Sequence, residues 1–130
     1  MDTNRKYSRK REAILSELRS TKTHPSAEWL YERLKPSIPD LSLGTVYRNL
    51  ALFRTNGDII SVGTVHGQER FDGDIRPHSH FICSRCGRVI DVDDLPEDPT
   101  LWNSIEKLTG GKVMSQTLIF KGLCDDCLQK

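Results

Sequence analysis

The chain has 130 residues, 36% of them hydrophobic, and a formal net charge of +1. That length fits one ordinary domain or two small ones, and a charge so near zero supplies no global field toward nucleic acid or membrane. No apolar run approaches the roughly 20 residues that span a bilayer, and the basic start MDTNRKYSRKR has no apolar stretch behind it to form a secretory signal. An intracellular, cytoplasmic protein with no membrane partner is expected.

The first half predicts helices. Ser8 is placed as the N-cap of a first helix carrying Ile14, Leu15 and Leu18 on one face. Ser26, after Pro25, caps a second helix that buries Leu30 and Leu34 and is ended by Pro36 and Pro39. Ser42 caps a third, SLGTVYRNLALFRTNG, in which Leu41 and Val46 make a hydrophobic staple. Val46, Leu50 and Phe53 recur at helical spacing, and Gly57 stands at the C-terminal stop. Two short runs, IISV (59–62) and QERF (68–71), flank a glycine-containing loop and predict a hairpin. Three helices followed by a hairpin is the order of a winged helix-turn-helix.

The stretch DGDIRP reads as a joint, which divides the chain into 1–70, a hinge at 71–77, and 78–130. Beyond it, HFIC and RVIDV are strand-like. PEDPTLWNSIEKL carries a helical pattern through Leu101, Ile105 and Leu108, and Gly110-Gly111 stops it. KVMSQTLIFKG is strand-like again. The expected fold is therefore α+β: an N-terminal winged helix-turn-helix and a small C-terminal α/β unit. The apolar content of the second unit is thin for an independent module, so it is expected to need a metal and a partner chain.

Four cysteines form two CxxC pairs, Cys83/Cys86 and Cys124/Cys127, with none left over. In an intracellular chain such pairs favour metal over disulfide. Four thiolates give a closed tetrahedral zinc shell with no open position for catalysis, so the reading is a structural zinc. Redox motifs or merely buried thiols are the other readings of the same spacing. Cys86-Gly87 suits the tight turn of a zinc knuckle.

Histidines and aspartates suggest a second site. His78 and His80 form an H-x-H pair, and on a strand residues two apart share a face. Asp72 precedes them and Asp91 follows on the next strand-like run, while His24 lies far off, ahead of the second helix. Taken singly, His24 is an exposed loop histidine, Asp72 a turn residue and Asp91 a strand-end charge. On the third helix, Thr45, Tyr47, Arg48 and Asn49 are expected outward or on the flank, where a recognition helix meets bases. Arg48 suits a bidentate contact to guanine and Tyr47 a thymine methyl. A solvated helix face is the plainer alternative. Arg5, Lys6, Arg9, Lys10 and Arg11 suit phosphate contact.

The segments THPSAEWLYERL, LSLGTVYRNLALFRTNG, RFDGDIRPHSHFICSRCGRVIDV and KGLCDDC resemble, in order and spacing, the ferric uptake regulator (Fur) family, over nearly the whole chain. The resemblance implies a dimeric, metal-dependent transcriptional repressor: a winged helix-turn-helix hinged to an α/β dimerisation domain, acting on double-stranded operator DNA as a homodimer. It implies regulatory ligands at His24, Asp72, His78, His80 and Asp91 and structural zinc ligands at Cys83, Cys86, Cys124 and Cys127. Three imidazoles and two carboxylates suit Fe(II) or Mn(II). Zinc sensors of the family usually place a cysteine in the regulatory site, and none is spare here. Aspartate at both Asp72 and Asp91 is similar to the peroxide-sensing PerR branch, in which Fe(II) and peroxide oxidise a ligand histidine, here His24 or His78. Peroxide is then a signal, with no other small-molecule substrate.

The runner-up within the family is an iron- or manganese-responsive uptake repressor. Outside it stands a zinc hydrolase or thiol oxidoreductase, disfavoured because there is no HExxH, no evident general base and little core for a substrate pocket. The chain also departs from the family pattern. Members usually carry an additional helix before the one near Ser8, so part of the usual DNA contact is expected to be missing. Arg48 stands where relatives often have Asn. No histidine follows His80, and His66 is expected to be exposed without a role.

Overall fold

The computed structural model describes the backbone of residues 2–130 and the side chains of residues 9–130. Its elements run α1 (Asp2–Ser20), α2 (Ala27–Leu34), α3 (Leu43–Asn56), β1 (Ile60–Val65), β2 (Gln68–Asp72), β3 (Ser79–Cys83), β4 (Val89–Val92), α4 (Pro99–Thr109), β5 (Ile119–Gly122) and α5 (Asp125–Leu128). They fall into two compact units that divide between Ile75 and Arg76. The α+β class is as expected.

In the first unit, Ser26 and Ser42 cap α2 and α3 as their sequence positions require. Each hydroxyl accepts from a backbone N–H three residues on, Trp29 at 3.2 Å and Thr45 at 3.1 Å. Such bonds satisfy N–H groups that the helix itself leaves unpaired. Gly57 ends α3 in the left-handed conformation (φ 79°) that a side chain would resist. Leu41 and Val46 are both wholly buried, as the staple needs. The core joins Ile14 and Leu18 of α1, Leu30 of α2, Val46, Leu50 and Phe53 of α3, and Ile59 and Phe71 of the hairpin. Leu34 is only half-buried, packed at the edge of this cluster.

Two expectations are corrected here. Helix α1 begins at Asp2, not beyond Ser8. No proline or glycine interrupts residues 2–20 and their Arg, Lys, Glu and Leu content favours helix, so the residues ahead of Ser8 extend this helix. The hairpin is also longer than expected. Strand β1 reaches Val65, leaving only His66 and Gly67 in the turn, both with positive φ (51° and 79°). That is the primed geometry that matches strand twist. Strand β2 runs on through Asp72, into the stretch expected to be hinge.

The second unit is built on β3, with β4 antiparallel on one side and β5 parallel on the other. Helix α4 makes the crossover that a parallel pair requires. It is capped by Asp98 and stopped at Gly110 (φ 74°). None of its residues is buried, and Leu101, Ile105 and Leu108 remain 40%, 40% and 83% exposed. The final strand is shorter than expected. Residues 112–118 form no strand, and β5 begins only where Ile119 meets His80. The turn α5, unforeseen from the sequence, follows Cys124.

Because the Ser42 cap is a single backbone bond at the start of the helix that brings Val46, Leu50 and Phe53 to the first core, Ser42→Ala is expected to cost about 1 kcal/mol. Urea denaturation of the zinc-loaded chain checks this; no shift in midpoint would mean that the cap does not hold α3.

Candidate metal centres and nucleic-acid face

The cysteine site grows from three local features of the second unit. At the first pair, the chain turns sharply: the Cys83 N–H donates to the Arg88 carbonyl (2.8 Å) and the Gly87 N–H to the Cys83 carbonyl (2.9 Å). Gly87 takes φ 80°, which lets the backbone fold around the sulfurs. At the second pair, α5 sets Cys124 and Cys127 three residues apart on one helical turn, and therefore on one side. Strand pairing joins the two, since Cys83 lies opposite Gly122, two residues before Cys124.

All four sulfurs lie within 4.8 Å of one another. The Cys86 and Cys124 sulfurs are 3.8 Å apart. This is far beyond the ~2.05 Å of a disulfide and equals the edge, about 3.8 Å, of a tetrahedron with ~2.3 Å zinc–sulfur bonds. Charge points the same way. Backbone N–H groups of Cys86 and Cys124 draw the Cys83 thiol down to about 5, while burial and the neighbouring sulfurs push Cys127 up to about 12. Four sulfurs so close cannot all ionise without a cation among them, and a divalent ion fits this set.

The second unit also holds three oxygen- and nitrogen-bearing ligand candidates. The β3–β4 register places His80 directly opposite Asp91, with His80 Nε2 3.3 Å from Asp91 Oδ1. His78, one residue ahead of β3, brings its Nε2 to 3.0 Å from the same oxygen. The two rings lie 4.4 Å apart, as the H-x-H spacing leads one to expect. His78 Nδ1 lies 2.6 Å from the Arg76 carbonyl, which can only accept, so Nδ1 carries a proton. A neutral His78 then turns the lone pair of Nε2 toward a carboxylate oxygen. Such an approach is stable only with a positive centre between them, a proton or a metal ion.

In the first unit, His24 and Asp72 make a buried pair, His24 Nε2 to Asp72 Oδ2 at 3.1 Å. His24 is not the exposed loop residue of the plainer reading: it is 3% exposed. It holds φ 52° immediately before a proline, a conformation that costs a non-glycine residue about 1–3 kcal/mol and persists only where its surroundings enforce it. Asp72 does double service, its Oδ1 accepting from the Asp74 N–H at 2.8 Å in a local turn.

On α3, Tyr47 is 48% exposed and donates its phenol hydrogen to Glu28 of α2, a bond that raises the Tyr47 pKa. Arg48 is exposed and braced against Thr45 Oγ1 at 3.1 Å. Asn49 is half-buried and donates to the Thr45 carbonyl one turn back, at 2.8 Å. Thr45 is a correction: it is 7% exposed, and its hydroxyl is engaged by Ser42 and Arg48. It faces inward because the Ser42 cap draws it under the first turn. Arg9 and Arg11 are exposed, whereas Lys10 is held by Asp40 at 3.2 Å. The side chains of Arg5 and Lys6 lie outside the described residues. His66 is exposed at the hairpin tip.

These are the features of a metal-binding regulator with a helix-turn-helix. The pattern of the ferric uptake regulator family matches residues 2–120, and the chain belongs to that family. The peroxide-responsive repressor PerR of Staphylococcus aureus is 35% identical over 124 residues, covering 92% of this chain and 80% of the relative. Among solved structures, the Campylobacter jejuni peroxide stress regulator is 25% identical with a TM-score of 0.76, covering 97% of this chain and 94% of that one. The Vibrio cholerae ferric uptake regulator is 28% identical with a TM-score of 0.67, covering 88% of each chain. Family members are metal-binding transcriptional regulators and not enzymes, so the hydrolase and oxidoreductase readings fall away. The family also identifies α1–α3 with the β1–β2 hairpin as the winged helix-turn-helix.

Glu28 and Arg70 were not foreseen from the sequence. Only the alternation of a strand, which sets Arg70 and Asp72 on one side of β2, hinted at the second.

Cys86→Ser should reduce bound zinc from about one ion per chain to near none after dialysis against a chelator. It should also strip hydrogen-exchange protection from β3–β5 while α1–α3 keep theirs. Full zinc retention would show that the sulfurs serve another purpose.

Proposed function

We propose that this chain is a homodimeric repressor that binds double-stranded operator DNA in the cytoplasm only when a regulatory ion joins its two units, and that peroxide ends the repression. The observation that carries the reading is the incompleteness of each donor set. His24 and Asp72 offer two donors from the first unit, and His78, His80 and Asp91 offer three from the second. Neither fills a shell alone; in this reading the five donors serve one ion, and their nitrogen- and oxygen-rich chemistry suits Fe(II) or Mn(II). Cys83, Cys86, Cys124 and Cys127 hold a separate structural zinc.

Residues 1–70 form the DNA-binding domain, 71–77 the hinge and 78–130 the dimerisation domain in this reading. Ligands from both sides of the hinge favour one angle between the units, and whichever conformer binds the ion better accumulates. The exposed apolar side chains of the second unit, Leu101, Ile105, Leu108, Met114 and Phe120, supply the face that a second copy covers. In the dimer, two copies of α3 meet major grooves about 34 Å apart. Tyr47 and Arg48 read base edges, Thr45 and Asn49 brace them, and Arg9 and Arg11 contact phosphates.

The peroxide arm rests on aspartate at both carboxylate positions and on similarity to the peroxide-responsive repressor of S. aureus. Ferrous iron held by these five residues would supply activation of hydrogen peroxide there. A ring carbon of His24 or His78 would exchange its hydrogen for a hydroxyl from the peroxide, whose O–O bond breaks and whose other oxygen leaves as water, so that the ring is the two-electron reductant; the oxidised ring ligates weakly and the two units are no longer tied. The second reading, an iron- or manganese-responsive uptake repressor, draws on the likeness to the V. cholerae ferric uptake regulator.

His80→Ala should sediment as a dimer with full zinc, yet lose at least about tenfold in Mn(II)-dependent affinity for a duplex selected from a random library by the wild-type protein. Metal-dependent binding that survives this change would rule out the ligand set. For the peroxide arm, Fe(II)-loaded protein treated with peroxide should gain about 16 Da on the peptides holding His24 or His78, one oxygen on an imidazole ligand. An unchanged mass there would leave the uptake-repressor reading in its place.

A further inference from the structure

We propose that Arg70 is a positioning residue for the regulatory site: its guanidinium grips the carbonyls of the two peptides that flank His24, Thr23–His24 and His24–Pro25, and holds His24 in the conformation that aims its imidazole at Asp72. The inference rests on the reading of His24 as a ligand, and adds how the ligand is held.

Three successive residues of β2 are tied to three successive residues of the loop before α2. Arg70 donates from Nε to the His24 carbonyl and from a terminal nitrogen to the Thr23 carbonyl, the latter at 2.7 Å. The Phe71 N–H donates to the Pro25 carbonyl at 3.0 Å. Asp72 meets the His24 ring. Strand alternation makes this possible, since residues 70 and 72 project to one side while the Phe71 side chain enters the core on the other. The grip has strain to oppose. His24 is a non-glycine residue at φ 52° with a proline after it, and residues ahead of proline ordinarily stay extended. A fork of N–H donors suits two neighbouring carbonyls in a way that a lysine ammonium does not.

Electrostatics alone makes the opposite forecast. A fixed cation close to a metal site repels the ion, so deleting Arg70 would tighten Mn(II) binding if charge were its only effect. Positioning makes deletion weaken it, because the His24 ring must then be ordered at the expense of binding. The sign therefore separates the two.

The experiment uses full-length, zinc-loaded Arg70→Ala and Arg70→Lys proteins beside wild type and His24→Ala. Calorimetry with Mn(II) should show about tenfold weaker binding for Arg70→Ala, the range in which residues that orient a ligand act, and a smaller loss for Arg70→Lys. Saturating Mn(II) should return both variants to wild-type affinity for the selected duplex. Without Mn(II), the Phe71 amide should exchange faster in Arg70→Ala than in wild type, a readout independent of any ion. Unchanged or tighter Mn(II) binding in both variants overturns the proposal, as does unchanged Phe71 exchange. Duplex affinity that stays low at saturating Mn(II) also overturns it, by making Arg70 a DNA contact. If His24→Ala binds Mn(II) like wild type, it is the ligand reading that fails. Should Arg70→Ala not fold, Arg70→Lys carries the test through the same titrations.

Discussion

The second unit depends on the register of β3. His80 near the start of that strand lies opposite Asp91 on one neighbour and Ile119 on the other, and Cys83 at its end lies opposite Gly122. Two donor sets hang on this one alignment: the imidazole–carboxylate group at one end and the sulfurs at the other. Strand periodicity makes the alignment unforgiving, because a slip of one residue turns every side chain to the other face. The hydrophobic content that would normally fix register is thin here. Ile82 and Val89 are the buried aliphatic side chains among the described residues of this unit. The sulfur cluster stands beside them, and Cys83, Cys124 and Cys127 are each less than 5% exposed. Four sulfurs within 4.8 Å of one another thus crowd a place that aliphatic side chains would fill in a larger core.

The first unit solves the converse problem. Its core is ample, from Ile14 on α1 to Phe71 on β2. What that core cannot do is fix a loop residue in an unfavourable conformation. Backbone-directed hydrogen bonds from β2 do so, and the result is a buried histidine presented beside a buried aspartate. Gly73 continues the arrangement. A Cβ there would stand 2.9 Å from the Cα of Arg19, so only glycine lets the chain leave β2 so close to the end of α1. Helix α3 is organised in the same economical way. Thr45 turns inward and accepts from the Arg48 guanidinium, and Glu28 steadies Tyr47, so the exposed residues of α3 are partly pre-oriented before any ligand arrives.

Much of this was legible beforehand because it is local. The caps at Ser26 and Ser42, the staple of Leu41 and Val46, the stop at Gly57 and the pairing of cysteines by CxxC each involve residues a few positions apart. Propensity, hydrogen-bond geometry and ligand reach then decide the outcome with no help from distant chain. Family likeness supplied the residues that no spacing rule would join, notably His24 to Asp72. The errors were also physical. Ser8 has the look of a cap because it precedes an apolar stripe, yet uninterrupted helix formers run through it and α1 starts at Asp2. The last strand is shorter than its alternation suggests because alternation marks what can pair, and β3 offers a partner only from Ile119 to Gly122.

Composition and short-range pattern thus determined the class of fold, the helices of the first half and the sulfur quartet. Tertiary structure alone decided three things. It set the burial of His24, the common oxygen of Asp91 shared by two imidazoles, and the grip of Arg70 on a loop 46 residues away in sequence. Each rests on atoms brought within about 3 Å by strand pairing or by packing of distant segments. One-dimensional order does not encode such distances until the chain has folded.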